Sequence, residues 1–150
     1  MKKLRIYLDT SVFGGCFDDE FIDESTALFE EIILGRFVVV ISATTLRELR
    51  DAPQMVRDLV KKIPRKLIDY IGPSDEIDFL RDEYIKARVV GTGALRDAEH
   101  IASATIGNAD IIVSWNFKHI VHFDKIRGYH AVNIMHGYSA IPIHSPKEVI

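Results

Sequence analysis

A parallel-sheet α/β fold with helices on both faces is what this sequence predicts, from three observations. Short, nearly continuous apolar runs at Leu4 to Leu8, Phe37 to Ile41 and Asp110 to Ser114 have the character of strands buried on both faces. Amphipathic helical segments separate those runs throughout, which is the pattern of strands joined by helical crossovers. Such connections are right-handed almost without exception. At 150 residues, with no repeat, low-complexity tract or linker, the chain reads as a single domain over 1–150 with one substantial core.

The elements follow in order. Leu4-Arg5-Ile6-Tyr7-Leu8 opens as a strand and ends at Asp9. After an acidic stretch from Asp18 to Glu24, Leu28, Phe29, Ile32 and Ile33 form a helical stripe, capped by Asp23 or Ser25 and stopped by Gly35. Those acids suit the positive end of the helix dipole, and they lack the spacing and the glycine of a calcium loop. Phe37 to Ile41 is the second strand; Ser42 caps the helix ATTLRELRDA, which Pro53 closes. Gln54 to Ile63, Ser74 to Arg88 and Ala94 to Thr105 read as further helices. Asp110 to Ser114 is a third strand, and Ala131-Val132-Asn133-Ile134-Met135 is expected to be another.

Composition excludes several function classes. Apolar content of 47% and charged content of 27% are those of an ordinary globular protein. No run approaches the ~20 apolar residues of a membrane span, and the N-terminus lacks the form of a signal peptide. The only cysteine, Cys16, rules out an internal disulfide framework, fits a reducing cytoplasm and reads as packing. A net charge of −3 means that any nucleic-acid binding depends on local patches or metal ions.

The chemistry gathers at strand ends. In a parallel sheet the carboxyl edges of strands and the starts of the following helices meet at one rim. Asp9, followed by the hydroxyls Thr10 and Ser11, lies at such an edge. Glu48 falls one and a half turns past its helix cap, Asp97 near the start of its helix, and Ser114 and Asn116 at the exit of the third strand. An isolated aspartate after a strand is more often a helix cap or an Asx-turn than a site. Carboxylates converging in one cleft repel each other unless a cation neutralises them, and oxygen donors suit Mg²⁺ or Mn²⁺. Such a site can activate water against a phosphodiester.

The opening YLDTSVF, the segment TLRELRDA, the helix DAEHIASA and the strand and loop ADIIVSWNFKHI followed by VNIM are similar, in order and spacing, to the PIN-domain family of VapC-like ribonuclease toxins. The resemblance spans nearly the whole chain. It implies a three-layer α/β/α sandwich and a metal-dependent endoribonuclease. It also implies that Asp9, Glu48 and Asp97 bind the metal, with Thr10, Ser11 and Ser114 in support. An inhibitory antitoxin and a homodimer are implied partners. The departure is Asn116, where the family commonly has aspartate; asparagine drops a charge but keeps an oxygen for a metal or water, so Asn116 is expected to join the catalytic acids as an auxiliary ligand. Asp110 precedes its strand, so it lies at the opposite edge and cannot substitute.

Other groups carry weaker signals. His100 shares a flank with Asp97 and reads as a structural histidine, since no zinc-ligand spacing is present. His119, beside Lys118, is a candidate phosphate contact. Arg57, Lys61, Lys62, Arg65 and Lys66 are a candidate RNA backbone contact against a solvated-helix reading. Trp115 reads as core rather than as a base-stacking platform. Two competing functions remain. One is a PIN-like binding module that has lost efficient cleavage. The other is an aspartyl-phosphate enzyme of the haloacid-dehalogenase type, which wants a second Asp where this chain has Ser11.

Overall fold

The computed structural model describes residues 2–150. Its strands are β1 (Leu4–Leu8), β2 (Phe37–Ser42), β3 (Ile68–Ile71), β4 (Ile111–Val113) and β5 (Ile143–His144). Its helices are α1 (Thr10–Gly15), α2 (Ile22–Ile33), α3 (Ala43–Arg50), α4 (Gln54–Lys62), α5 (Asp75–Lys86), α6 (Leu95–Ile106) and α7 (Phe123–Met135). All strand pairings are parallel, in the order β3-β2-β1-β4-β5. This is an α/β/α sandwich of the doubly wound kind.

Period-two alternation along the strands divides the interior into two cores. Ile6 and Leu8 of β1, with Val39, Ile41 and Val113, pack under α1, α2, α3 and α4. Tyr7, Val40 and Ile112 point the other way, into a core built with α5, α6 and α7. Both faces of β1 are therefore covered, which explains its lack of a polar alternation. Ile6, Tyr7 and Leu8 have no exposed surface.

Helix boundaries follow local chemistry. Ser42 accepts a hydrogen bond from the Thr45 amide and starts α3; Ser74 does the same for α5 through Ile77. Gly35 closes the turn after α2 at φ +81°, a left-handed conformation that glycine adopts without penalty. At the amino edge of the sheet the Arg5 amide donates to Asp110 at 2.7 Å, and the Arg5 guanidinium reaches Asp69 and the carbonyls of Gly107 and Asn108. Asp110 is thus a strand-entry residue, at the edge opposite Asp9.

Three expectations need correction. Ala131–Met135 is the end of helix α7, not a strand. A five-residue apolar run cannot by itself distinguish the two. Here Tyr129, Val132 and Asn133 fall on one buried helical face. Asn133 is satisfied there by Thr105 and Ser139 and by the hydroxyl of Tyr84. The edge position belongs instead to β5. Helix α2 begins at Ile22 without a side-chain cap: Asp23 and Glu24 lie in its first turn, while Ser25 is buried and accepts from the Trp115 indole at 2.8 Å. Finally, Gln54–Lys62 is one residue shorter than expected, because Ile63 turns extended ahead of Pro64. Among the described residues no helix is long and apolar enough to cross a membrane.

Candidate active site

Asp9 leaves the carboxyl end of β1, where the strand order reverses between β2 on one side and β4 on the other. Crevices form at such switch points. Only 4% of Asp9 is exposed. Its two carboxylate oxygens are held separately: Ser11 donates to Oδ1 at 2.6 Å and Ser114, from the end of β4, to Oδ2 at 2.7 Å. The same hydroxyls organise the β4 exit. Ser11 Oγ accepts from the Trp115 amide and Ser114 Oγ from the Asn116 amide, both at 2.9 Å. Burial pushes the Asp9 carboxyl above its usual range, against the opposing pull of His100 and the two hydroxyls.

Glu48 reaches the rim from α3. Thr10 donates to its Oε1 at 2.7 Å, and His100 Nε2 lies 2.5 Å from the same oxygen. Behind the ring, His100 Nδ1 is 2.6 Å from the Tyr7 hydroxyl, which is 2.7 Å from Ser42 Oγ. A buried chain thus runs from a strand tyrosine and a helix cap to the carboxylate at the rim. Burial would lower the His100 pKa, but Glu48, Asp9 and Asp97 together raise it. Burial would raise Glu48, yet the hydrogen bond and charge of His100, with Thr10 and Arg96, bring it below its usual value. Each acid thus favours the protonated form of His100, and a proton there would offset part of their mutual repulsion.

Asp97 stands half-buried in the first turn of α6. Burial raises its pKa, opposed by the charges of His100 and His119 and by the Asn116 amide. Asn116 turns its Oδ1 inward, where it accepts from the amides of Lys118 at 3.2 Å and His119 at 2.9 Å. The oxygen expected to serve a ligand is therefore committed to the loop. The Nδ1 of His119 is buried and has no hydrogen-bond partner. Glu99 fixes the helices carrying Glu48 and Asp97: it accepts from Thr44 and Arg47 of α3 and from Arg81 of α5, the last at 2.9 Å.

Two solved structures share this architecture. One is VapBC2 from Rickettsia felis bound to a DNA fragment from their promoter, with a TM-score of 0.55 and 15% identity over 95% of this chain and 98% of that one. The other is FitAcB from Neisseria gonorrhoeae, with a TM-score of 0.59 and 16% identity over the same shares of the two chains. The likeness is one of fold. No family model matches the chain. No curated protein matches it in sequence either.

Glu48 is hydrogen-bonded to His100, and the charges of Asp9 and Asp97 also reach that ring. Among the described residues, no three His, Cys, Asp or Glu side chains close around a common point that could cage a metal ion. Oxygen donors of this kind are the type a hydrated hard cation takes, since Mg²⁺ usually binds one or two carboxylates and keeps several waters. Asp9, Glu48 and Asp97 are the oxygens that would hold it.

Sequence reasoning missed the Tyr7–His100 chain. Its one signal was His100, three residues beyond Asp97 on the same flank. Trp115 is core, 5% exposed and stacked on Phe21 with ring centroids 4.2 Å apart. Of the basic stretch, Arg57 binds the Arg50 carbonyl and Gln54, and Lys61 pairs with Asp58, so both are tied locally. Lys62 lies close enough to Cys16 to oppose the burial that pushes that thiol up to about 11.

Proposed function

We propose that this protein is a divalent-metal-dependent endoribonuclease and the toxin half of a toxin–antitoxin pair. The observation that carries the reading is the switch-point rim itself, where Ser11 and Ser114 hold Asp9, Thr10 and His100 hold Glu48, and Asp97 stands in the first turn of α6. A bound Mg²⁺ or Mn²⁺ supplies charge neutralisation at the phosphate and acidifies a water. The chain's own groups do the positioning. Ser11 and Ser114 fix the Asp9 carboxylate, and His100 and Thr10 fix that of Glu48. Asp97, half-buried in the first turn of α6, would add a third carboxylate oxygen around the cation.

The cytoplasm is the proposed compartment, a homodimer the proposed assembly, and an inhibitory antitoxin over the rim the proposed partner. The fold shared with the VapBC2 structure supports the antitoxin, as does the VapC-like pattern of motifs. The test is Asp97→Asn, assayed on RNA with Mn²⁺ and with chelator. Cleavage should disappear while the thermal midpoint stays; full residual activity in the variant overturns the mechanism.

A binding module without efficient cleavage is the second reading, favoured by the absence of a closed three-ligand cage among the described residues. Calorimetric titration separates the two: no Mn²⁺ binding up to millimolar concentration would select the module.

A further inference from the structure

Beside the acids lies an open groove of about 450 Å³ between α1 and the β4 exit. Ser11 and Asn116 belong both to its wall and to the site already described, so the two are continuous. The aromatic side of the groove is Phe21, stacked on the buried Trp115, with the half-exposed Phe117 at 6.5 Å from the Phe21 ring. Asp18 lines the groove from the turn that leads into Phe21, whose amide donates to the Asp18 carbonyl at 3.0 Å.

The floor carries an independent signal. Gly14 and Gly15 are adjacent in α1 and differ completely in why they are glycine. A Cβ at Gly15 would lie 2.4 Å from Ser25 Oγ and 2.7 Å from Trp115 Nε1, so packing forbids a side chain there. A Cβ at Gly14 would meet nothing within 4 Å, and its φ is not left-handed. Helical glycine in such a place destabilises the fold relative to alanine. The fold gains nothing from the missing side chain; the groove gains clearance.

We propose that this groove seats an unpaired RNA base next to the phosphodiester held at the acids, with Gly14 as its cleared floor, Phe21 as its aromatic wall and Asp18 as its edge reader. The inference rests on the ribonuclease reading and adds a substrate preference to it. Unpaired bases are recognised by aromatic contact and by hydrogen bonds to their edges. Asp18 offers only acceptors: Oδ1 already takes the Glu20 amide at 2.9 Å, and the exposed carboxylate keeps further lone pairs free. Guanine presents two adjacent N–H donors on its Watson–Crick edge, whereas uracil presents one N–H flanked by two carbonyls. Guanine is therefore favoured and uracil disfavoured. Lys118, exposed beside Asn116, and Lys62, near Cys16, supply cations for the flanking phosphates against the acidic run after Asp18.

The test uses the full chain in chelator, so that binding is read without cleavage. Fluorescence anisotropy follows labelled uridine tetranucleotides, either all uridine or with one internal guanosine. The guanosine oligonucleotide should bind at least fivefold tighter. Gly14→Ala should weaken that binding about tenfold while raising the thermal midpoint by about 1–4 °C, the opposite of a folding defect. Asp18→Asn keeps the turn acceptor and should erase the guanosine preference. Wild-type binding by Gly14→Ala, or an undiminished preference in Asp18→Asn, overturns the base seat. Cleavage assays separate the two layers. If the wild type cuts RNA but Gly14→Ala binds normally, the base seat falls and the hydrolase stands. If the preference is present but no cation supports cleavage, the hydrolase falls and the base seat stands.

Discussion

Removing one oxygen atom, in Tyr7→Phe, tests whether the buried chain behind the site holds the acids in place. The Tyr7 hydroxyl is wholly buried, 2.6 Å from His100 Nδ1 and 2.7 Å from Ser42 Oγ. With His100 protonated, its Nδ1–H donates to the tyrosine oxygen, whose own proton goes on to Ser42. Phenylalanine keeps the packed ring, so cavity cost is small. What changes is that a charged ring donor loses its acceptor in a dry interior, and Ser42 loses a donor. A stranded buried donor costs about 1–3 kcal/mol and a lost hydrogen bond about 1 kcal/mol, giving about 3 kcal/mol in all. For a chain of this size that lowers the thermal midpoint by about 6–12 °C. Calorimetry measures it directly. In parallel, ring-proton NMR should show the His100 pKa falling, since the lost oxygen stabilises the charged ring. A midpoint within about 1 °C of wild type, with an unmoved His100 titration, would refute the chain as a support for the site.

Two further predictions concern the same region. The coupling between Glu48 and His100, measured by a double-mutant cycle with Glu48→Gln and His100→Gln, should vary with pH. Glu48 is lowered, so its contribution is complete above the unfolded value of about 4.3 and is lost as pH falls through the folded pKa. His100 is raised, so its contribution is complete below the unfolded value of about 6.5 and is lost as pH rises through the folded pKa. The coupling should therefore be greatest between about pH 4.3 and 6.5, and a flat profile from pH 4 to 9 would contradict the assignment. Gly15→Ala drives a methyl group into the Ser25–Trp115 hydrogen bond and should cost about 2–4 kcal/mol in urea unfolding. A change below about 0.5 kcal/mol, the range of harmless surface substitutions, would show that the packing there yields freely.

How much of this was legible in the sequence depends on the range of the interactions. β1, β2 and β4 announced themselves because they are covered on both faces and carry nearly continuous apolar runs. Helix α1 did not, because TSVFGG is short and ends in two glycines that local propensity reads as loop. The edge strands β3 and β5 are only four and two residues long, too short for periodicity to register. Asp9 and Asp97 could be placed from topology, since strand ends and helix starts share a rim; Glu48 lies in the second turn of α3, and its contacts with Thr10 and His100 depend on how that helix packs. The contact between Tyr7 and His100 could not, because it needs the rotation of α6 over β1 across 93 positions of sequence.

The Ser114 hydroxyl that anchors Asp9 lies 105 positions further along the chain. During synthesis, Asp9 emerges early and waits. At about 5–20 residues per second, several seconds pass before the last strand bordering it exists. Until then its strand has β2 on one side and open backbone on the other, and the aspartate lacks the donor that orients Oδ2. A nascent chain thus carries no finished rim, and assembly of the site is delayed until β4 docks. Slow non-local pairing, ordinarily a liability of parallel sheets, here sets the moment at which the rim is complete.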